Sequence, residues 1–323
     1  MAKAIRFHQT GGPEVLCWEE VALADPGPGE ARVRQEACGV NFVDVYQRTG
    51  LYPMPLPACA GNEAAGVVEA VGPGVTVVRP GDRVAYAGVA GAACEARNLA
   101  ADRLCRLPDG ISAEQGAAMM LKGLTVQYLI RRTHRVQAGE TVLWHAAAGG
   151  VGLIACQWLK ALGAVVIGTA GSDEKCRLAL AHGADHCINY HTEDFAARVR
   201  ELTGGAGVPV VYDSVGQATF AGSIACLQPL GLMVSFGNAS GAVPPVDPGL
   251  LARSGSLFLT RPSLATYSAK RADLEAGARE LFDSVLSGQV RIAIGQRYAL
   301  RDAAQAYRDL EARATTGSGV LVV

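Results

Sequence analysis

The sequence predicts an α/β protein in two parts, a β-rich first part and, behind it, a doubly wound sheet of six parallel strands. Three observations carry that expectation. Up to about residue 120, short strand-like stretches are separated by Gly/Pro turns. From about Thr125 to Arg261, apolar runs alternate with stretches of helical spacing. At the head of that second part, a strand-like run passes through a turn of small residues straight into a helix-like run.

In the first part, Glu30–Ala37 alternates polar and apolar residues, as a half-buried strand does. Gly66–Val71 reads as a second strand, closed by the turn Gly72-Pro73-Gly74. The turn Pro80-Gly81-Asp82 leads into another at Arg83–Tyr86. Strands this closely spaced predict a barrel-like or sandwich β domain. In the second part, strands are expected at Thr141–His145, Ala164–Thr169, His186–Tyr190, Pro209–Asp213, Leu230–Phe236 and Ser256–Thr260. Helices are expected between them, at about Gly150–Leu162, Ser172–His182, Thr192–Leu202 and Gln217–Leu227. Strands apolar on both faces need helices on both faces, which is the doubly wound arrangement. The tail holds a helical segment at about Arg271–Ser287 and a last strand, Gly319–Val323. A helix and an orphan strand cannot fold alone, so the tail is expected to rejoin the first domain. The expected domains are therefore 1–124 with 262–323, and 125–261.

Composition narrows the class. Of 323 residues, 50% are hydrophobic and 18% charged, which excludes a disordered chain. The net charge of -1 gives no bulk attraction to nucleic acid or to an anionic membrane. The nine cysteines form no C-x-x-C pair, and Met1-Ala2-Lys3 opens no secretory signal, so reduced thiols and a cytoplasmic location are expected. The apolar run Val142–Leu159 is broken by His145, a paired glycine and Gln157, and reads as strand, turn and helix rather than a membrane span.

The chemistry starts at that turn, Ala146-Ala-Ala-Gly149-Gly150-Val151-Gly152. Gly149 and Gly150 lack a Cβ, so the backbone can turn tightly and approach a pyrophosphate, which the N–H groups and positive end of the helix would hold. Gly152 lets the helix sit close on its strand. The spacing A-x-x-G-x-x-G gains its meaning from the strand–turn–helix setting with five further strands behind it. At the end of the second strand, where an NAD enzyme places Asp or Glu, the sequence reads Thr169-Ala170-Gly171-Ser172, with Lys175 and Arg177 beyond. A small hydroxyl and nearby cations favour the 2′-phosphate of NADPH. Asp173 and Glu174 argue the other way unless they are first-turn helix acids. His145, inside the first strand, reads as a core histidine rather than an acid catalyst.

A β-rich domain ahead of a dinucleotide domain resembles the medium-chain dehydrogenase/reductase superfamily. Its zinc enzymes carry a Cys in a G-x-C context and a His in G-H-E. Here Gly39-Val40-Asn41 and Gly61-Asn62-Glu63 put carboxamides in both places, and carboxamides are poor zinc ligands. Cys38 and Cys59, close by, read as buried thiols. Only Cys94 and Cys105 remain of a four-cysteine structural zinc lobe. No metal is expected.

Longer segments sharpen the resemblance: His8-x-x-Gly-Gly-Pro-Glu-Val-Leu, Gly39-Val-Asn-Phe-Val-Asp-Val-Tyr-Gln-Arg-x-Gly-Leu-Tyr-Pro, Asn62-Glu-Ala-Ala-Gly, Leu121-Lys-Gly-Leu-Thr, Tyr212-Asp-Ser-Val-Gly and Ser235-Phe-Gly-Asn. Together with the glycine turn, they are similar over nearly the whole chain to zinc-free quinone oxidoreductases of the zeta-crystallin type. The resemblance implies a GroES-like catalytic domain beside a Rossmann domain, NADPH as cofactor and a quinone as acceptor. It places Asn41, Phe42 and Tyr46 near the nicotinamide and substrate, Tyr52 and Thr125 along the cleft, and Tyr128 on the cofactor. It puts Gly149, Gly150 and Val151 at the pyrophosphate, and Gly171, Ser172, Lys175, Tyr190 and Arg313 around the 2′-phosphate. Ser214, Val215, Phe236, Gly237 and Asn238 follow the adenosine and ribose.

A quinone is a good electron acceptor that becomes aromatic on reduction, so no strong Lewis acid is required. Asn41, Tyr46 or Tyr52 would hydrogen-bond the developing oxyanion. Both one-electron and two-electron transfer fit. Two other activities stay open on the sequence: reduction of activated C=C bonds (enones, alkenals), and NADPH binding with little turnover, as the crystallin kinship allows. The apolar run Ser256–Thr260 would form an exposed sheet edge, which implies a homodimer paired across it.

Overall fold

The computed structural model describes all 323 residues, Met1–Val323, in two compact units. One comprises Met1–Leu124, Ser268–Ser287 and Ile292–Val323, the other Thr125–Tyr267 and Gly288–Arg291.

The first unit opens with β1 (Ala2–Phe7) and β2 (Cys17–Val21), then β3 (Glu30–Val40), α1 (Phe42–Arg48), β4 (Ala58–Cys59), β5 (Glu63–Val71), β6 (Arg83–Ala87), β7 (Ala96–Ala100), β8 (Cys105–Arg106) and α2 (Ala113–Tyr128), inside which the division falls. In the second unit follow β9 (Thr141–Trp144), α3 (Gly150–Ala161), β10 (Val165–Ala170), α4 (Asp173–Ala181), β11 (His186–Asn189), α5 (Phe195–Leu202), β12 (Val208–Asp213), α6 (Phe220–Cys226), β13 (Leu227–Ser235), α7 (Pro248–Arg253), β14 (Phe258–Thr260) and α8 (Leu264–Tyr267). The chain then returns to the first unit with α9 (Arg271–Leu286), β15 (Ile294–Ala299), α10 (Ala303–Glu311) and β16 (Ser318–Val322).

In the first unit, β3 is the hub. It pairs antiparallel with β5, β7 and β16, in a seven-stranded sheet of order β15-β16-β3-β5-β6-β8 with β7 also on β3. A smaller sheet, β2-β1-β4, lies in the same unit. The first half of β3 alternates in burial and its end, from Ala37 to Val40, is wholly buried, so the strand begins half-covered and ends in the core. That core joins Ile5, Phe7, Val33, Val68 and Tyr86 to Leu300, Tyr307 and Leu321 from the tail.

The second unit is one six-stranded sheet of order β11-β10-β9-β12-β13-β14, parallel throughout. The order reverses between β10 and β12, on either side of β9, so β9 marks the point where ligands bind in such sheets. Leu143, Ile167, Ile188, Val211 and Met233 fill its core with Phe220 and Ile224 of α6.

Two stretches of the tail differ from the expected division. Residues 262–267 and 288–291 belong with the second unit. Tyr267 stacks on Tyr128 at 4.4 Å and 14°, and Arg132 donates to the Tyr267 carbonyl. The Gln157 side chain clamps both backbone groups of Arg291, at 2.9 and 3.0 Å.

Candidate functional site

In the first unit the site grows from the end of β3. Asn41 follows Val40 and opens α1, where it forms a capping box with Asp44. Asn41 is buried, and its Nδ2 donates to Glu63 Oε1 at 2.9 Å. The same oxygen takes Lys122 Nζ at 2.6 Å, and Oε2 takes the Leu121 amide at 2.7 Å. Glu63 is fully buried, and the pair is completed by a lysine only 5% exposed. Gly39 makes the room: a Cβ there would fall on the Glu63 carboxylate and the Ala117 carbonyl.

A second buried carboxylate lies three residues on. Asp44 Oδ2 accepts from the Asn41 amide at 2.9 Å and the Tyr307 hydroxyl at 3.0 Å, and Oδ1 from Asn62 Nδ2 at 2.6 Å. Its bonded neighbours are neutral, and burial pushes its carboxyl up to about 6, against the lowering effect of those donors. The two carboxamides that stand in the zinc-ligand positions thus both turn their NH2 groups to carboxylates. Phe42, Tyr46 and Tyr52 form an aromatic row beside them, with ring centroids 6.1 and 5.2 Å apart.

In the second unit the site is the carboxyl edge of the sheet. The tight turn after β9 depends on Ala146, which has φ 54, whereas Gly149 is extended at φ -79. This corrects the expectation that Gly149 and Gly150 supply the turn. Gly152 has the expected reason: a Cβ would collide with the Ala146 carbonyl and lie 2.6 Å from Ala147 Cα. Gly149 caps α3 without any side-chain hydrogen bond, and the first-turn amides of Gly150 and Val151 have no acceptor within the helix.

Gly171, Ser172, Lys175 and Tyr190 come together at the ends of β10 and β11. The Tyr190 hydroxyl lies 2.7 Å from where a Gly171 Cβ would stand, closer than a Cβ tolerates. Ser172 caps α4, accepting from the Lys175 amide. Asp173, the residue that argued for NAD, accepts from Asn189 Nδ2 at 2.7 Å. Arg313 belongs to the first unit, at the end of α10 with φ 57.

Ser214, Val215, Phe236, Gly237 and Asn238 gather beyond β12 and β13. A Cβ on Gly237 would meet Ser214, 2.8 Å from its Cα, and the Phe236 amide donates to the Asp213 carbonyl at 2.8 Å. Asp213 organises this loop, its Oδ1 taking the Val215 and Gly216 amides at 2.8 and 3.0 Å. Its Oδ2 takes the hydroxyls of Thr219 and Ser223. Ser223 therefore accepts from His145 Nε2, and Nδ1 accepts from Thr169. His145 is fully buried, and burial lowers its pKa against the opposing pull of Asp213. Thr125 and Tyr128 share α2; both are buried, and burial raises the Tyr128 phenol.

Glu63, Lys122, Asp44, Tyr307, Asp213 and Asn189 were given no role of their own from the sequence. For Lys122 a signal existed, a lone cation in an apolar helix between Met120 and Leu124. Tyr307 and Asp44 are 263 residues apart, and no local pattern joins them.

Residues 27–140 match the family described as "Alcohol dehydrogenase GroES-like domain", and residues 150–283 the one described as "Zinc-binding dehydrogenase". The chain is 56% identical to the quinone oxidoreductase of Pseudomonas aeruginosa, with all of both chains covered. It is 44% identical to the 2-haloacrylate reductase of a Burkholderia species, covering all of this chain and 99% of that one. Among solved structures, Escherichia coli quinone oxidoreductase complexed with NADPH superposes with a TM-score of 0.98 at 51% identity, over the whole of both chains.

Proposed function

The chain belongs to the quinone oxidoreductase family, and from that premise we propose that it is an NADPH-dependent enzyme that reduces quinones. The observation that carries this is the uncapped start of α3 at the crossover point of the sheet, seated on β9 by Gly152. NADPH suits the residues present: the amides of Gly150 and Val151 would take the diphosphate, and Ser172, Lys175 and Tyr190 the 2′-phosphate. Asp173 is bound to Asn189 and offers the ribose no free carboxylate oxygen at Oδ1. Bound NADPH supplies the hydride or electrons. Asn41, Tyr46 and Tyr52 donate to the quinone oxygens as they gain charge. Phe42 and the tyrosine row give a flat ring an aromatic wall. Thr125, Tyr128, Gly149 and Gly171 complete the cofactor's surroundings, and Ser214, Val215, Phe236, Gly237 and Asn238 hold its ribose side.

The identity to 2-haloacrylate reductase supports a second reading, reduction of activated C=C bonds. Loss of NADPH absorbance with 1,4-benzoquinone, 1,2-naphthoquinone and 2-cyclohexenone separates the two. Quinone turnover well above enone turnover is expected; enone turnover alone overturns the quinone reading, and tight NADPH binding with no turnover leaves a binding protein. No helix is long and apolar enough to cross a membrane. All nine cysteines are unpaired, which supports a cytoplasmic location. Exposed Phe258 and Leu259 on the edge strand β14 support a homodimer formed there. The near-neutral charge supports a small-molecule substrate and no nucleic-acid partner.

A further inference from the structure

We propose that Glu63 is a positioning residue that, neutralised by Lys122, fixes the Asn41 carboxamide with its NH2 group on the substrate-facing side of α1. The inference rests on the reading of Asn41 as a donor to the quinone. A carboxylate oxygen can only accept, so the 2.9 Å contact with Glu63 sets which end of the Asn41 amide is nitrogen. One Nδ2 hydrogen goes to Glu63 and the second is left for a substrate oxygen. Without that partner only the capping box with Asp44 holds the amide, and in the turned-over form it presents its own oxygen, which repels the charge a quinone oxygen gains.

Lys122 solves the problem that Glu63 creates. A bare anion next to the donor would oppose negative charge on the substrate, and burying one without a partner is costly. Lys122 Nζ, 2.6 Å from the same Oε1, cancels it. The Leu121 amide on Oε2 holds the carboxyl plane, and Gly39 leaves the space it occupies. The three donors come from two parts of the chain, Asn41 at the start of α1 and the adjacent Leu121 and Lys122 of α2, and they converge on one side chain.

The test separates positioning from mere stability, using kcat at saturating NADPH and 1,4-benzoquinone beside the melting temperature. The apolar pair Glu63→Leu with Lys122→Met keeps the volume and removes both charges, so folding is expected to survive. Its kcat is expected to fall at least about tenfold, because the donor is no longer held in place. Glu63→Gln is expected to do the opposite. Its amide oxygen still accepts from Asn41, so kcat stays within about threefold, while its NH2 meets the Leu121 amide and the melting temperature drops. On an Asn41→Ala background, the apolar pair is expected to change kcat less than about twofold. The proposal is overturned if kcat simply tracks melting temperature across these variants, or if the pair costs the same factor with and without Asn41. A wild-type enzyme that ignores quinones would instead remove the functional reading, and the positioning role with it.

Discussion

Asp44 is a buried carboxyl held by three donors and no cation, and that decides how pH acts on the first unit. Its folded pKa of about 6 lies above the ordinary value of 3.8, so the folded protein keeps a proton that the unfolded chain has given up. Stability from this group is therefore greatest below about pH 4, and it is lost as pH rises through about 6. Asp44→Asn does not titrate. It is destabilised outright by presenting NH2 to donors, but its deficit relative to wild type is expected to shrink between about pH 4 and 6, by at most about 3 kcal/mol. Urea unfolding across that window measures it, and a constant gap sinks the assignment. Gly152 tests the other unit. Gly152→Val forces α3 away from Ala146 and Ala147, and is expected to cost about 1–3 kcal/mol and most of the NADPH affinity. Calorimetric titration with NADPH checks this; unaltered binding would move the diphosphate elsewhere. The sequence exposed Gly152's purpose because strand, turn and helix are contiguous. It hid the role of Ala146, since a left-handed alanine looks like any other small residue.

At the scale of elements, the six parallel strands were legible because each is a short apolar run between helices, and all six lie within a few residues of their expected places. The element ends were less so. Helix α5 starts at Phe195 rather than Thr192 because Asp194 caps it, accepting from the Ala196 and Ala197 amides. Helix α6 starts at Phe220 rather than Gln217 because Asp213 draws the Val215 and Gly216 amides and the Thr219 hydroxyl into a loop. In the first unit, β3, β5 and β16 were each expected as strands, but not which of them pair, since the antiparallel pairing of β3 with β16 spans most of the chain. Between β11 and α4, the Asn189–Asp173 bond yields a test of cofactor choice. Asn189→Leu removes one donor to Asp173 and leaves its negative charge less satisfied at the first turn of α4, beside Ser172 and Lys175. The KM for NADPH is expected to rise by about tenfold with that for NADH unchanged or lower, through like-charge repulsion of the 2′-phosphate. Adding Asp173→Ala should reverse the change; equal effects on both cofactors would refute the link.

For the molecule as a whole, the question is what covers the free edge of the parallel sheet. Strand β14 is three residues long, and its outer edge has no partner strand in the chain. Phe258 is 60% exposed there, and Leu230 is 67% exposed where the chain approaches it. Leu230 has φ 62, and its amide bonds the Gly255 carbonyl at 2.8 Å. A left-handed conformation costs a non-glycine residue about 1 kcal/mol, an odd expense for a leucine that then points to water. A twofold pairing of β14 with its copy would cover both apolar side chains and both edges at once. In such an interface each residue faces its own symmetry mate or a near neighbour, so a single charge is felt twice. Phe258→Glu is therefore expected to convert a dimer to a monomer, read as a halved mass by light scattering at micromolar concentration. Quinone turnover should persist in the monomer, because β14 lies at the far end of the sheet order from the β9 crossover. A wild-type protein that is already monomeric, or a variant that stays dimeric, would place the contact between copies somewhere other than this edge or nowhere.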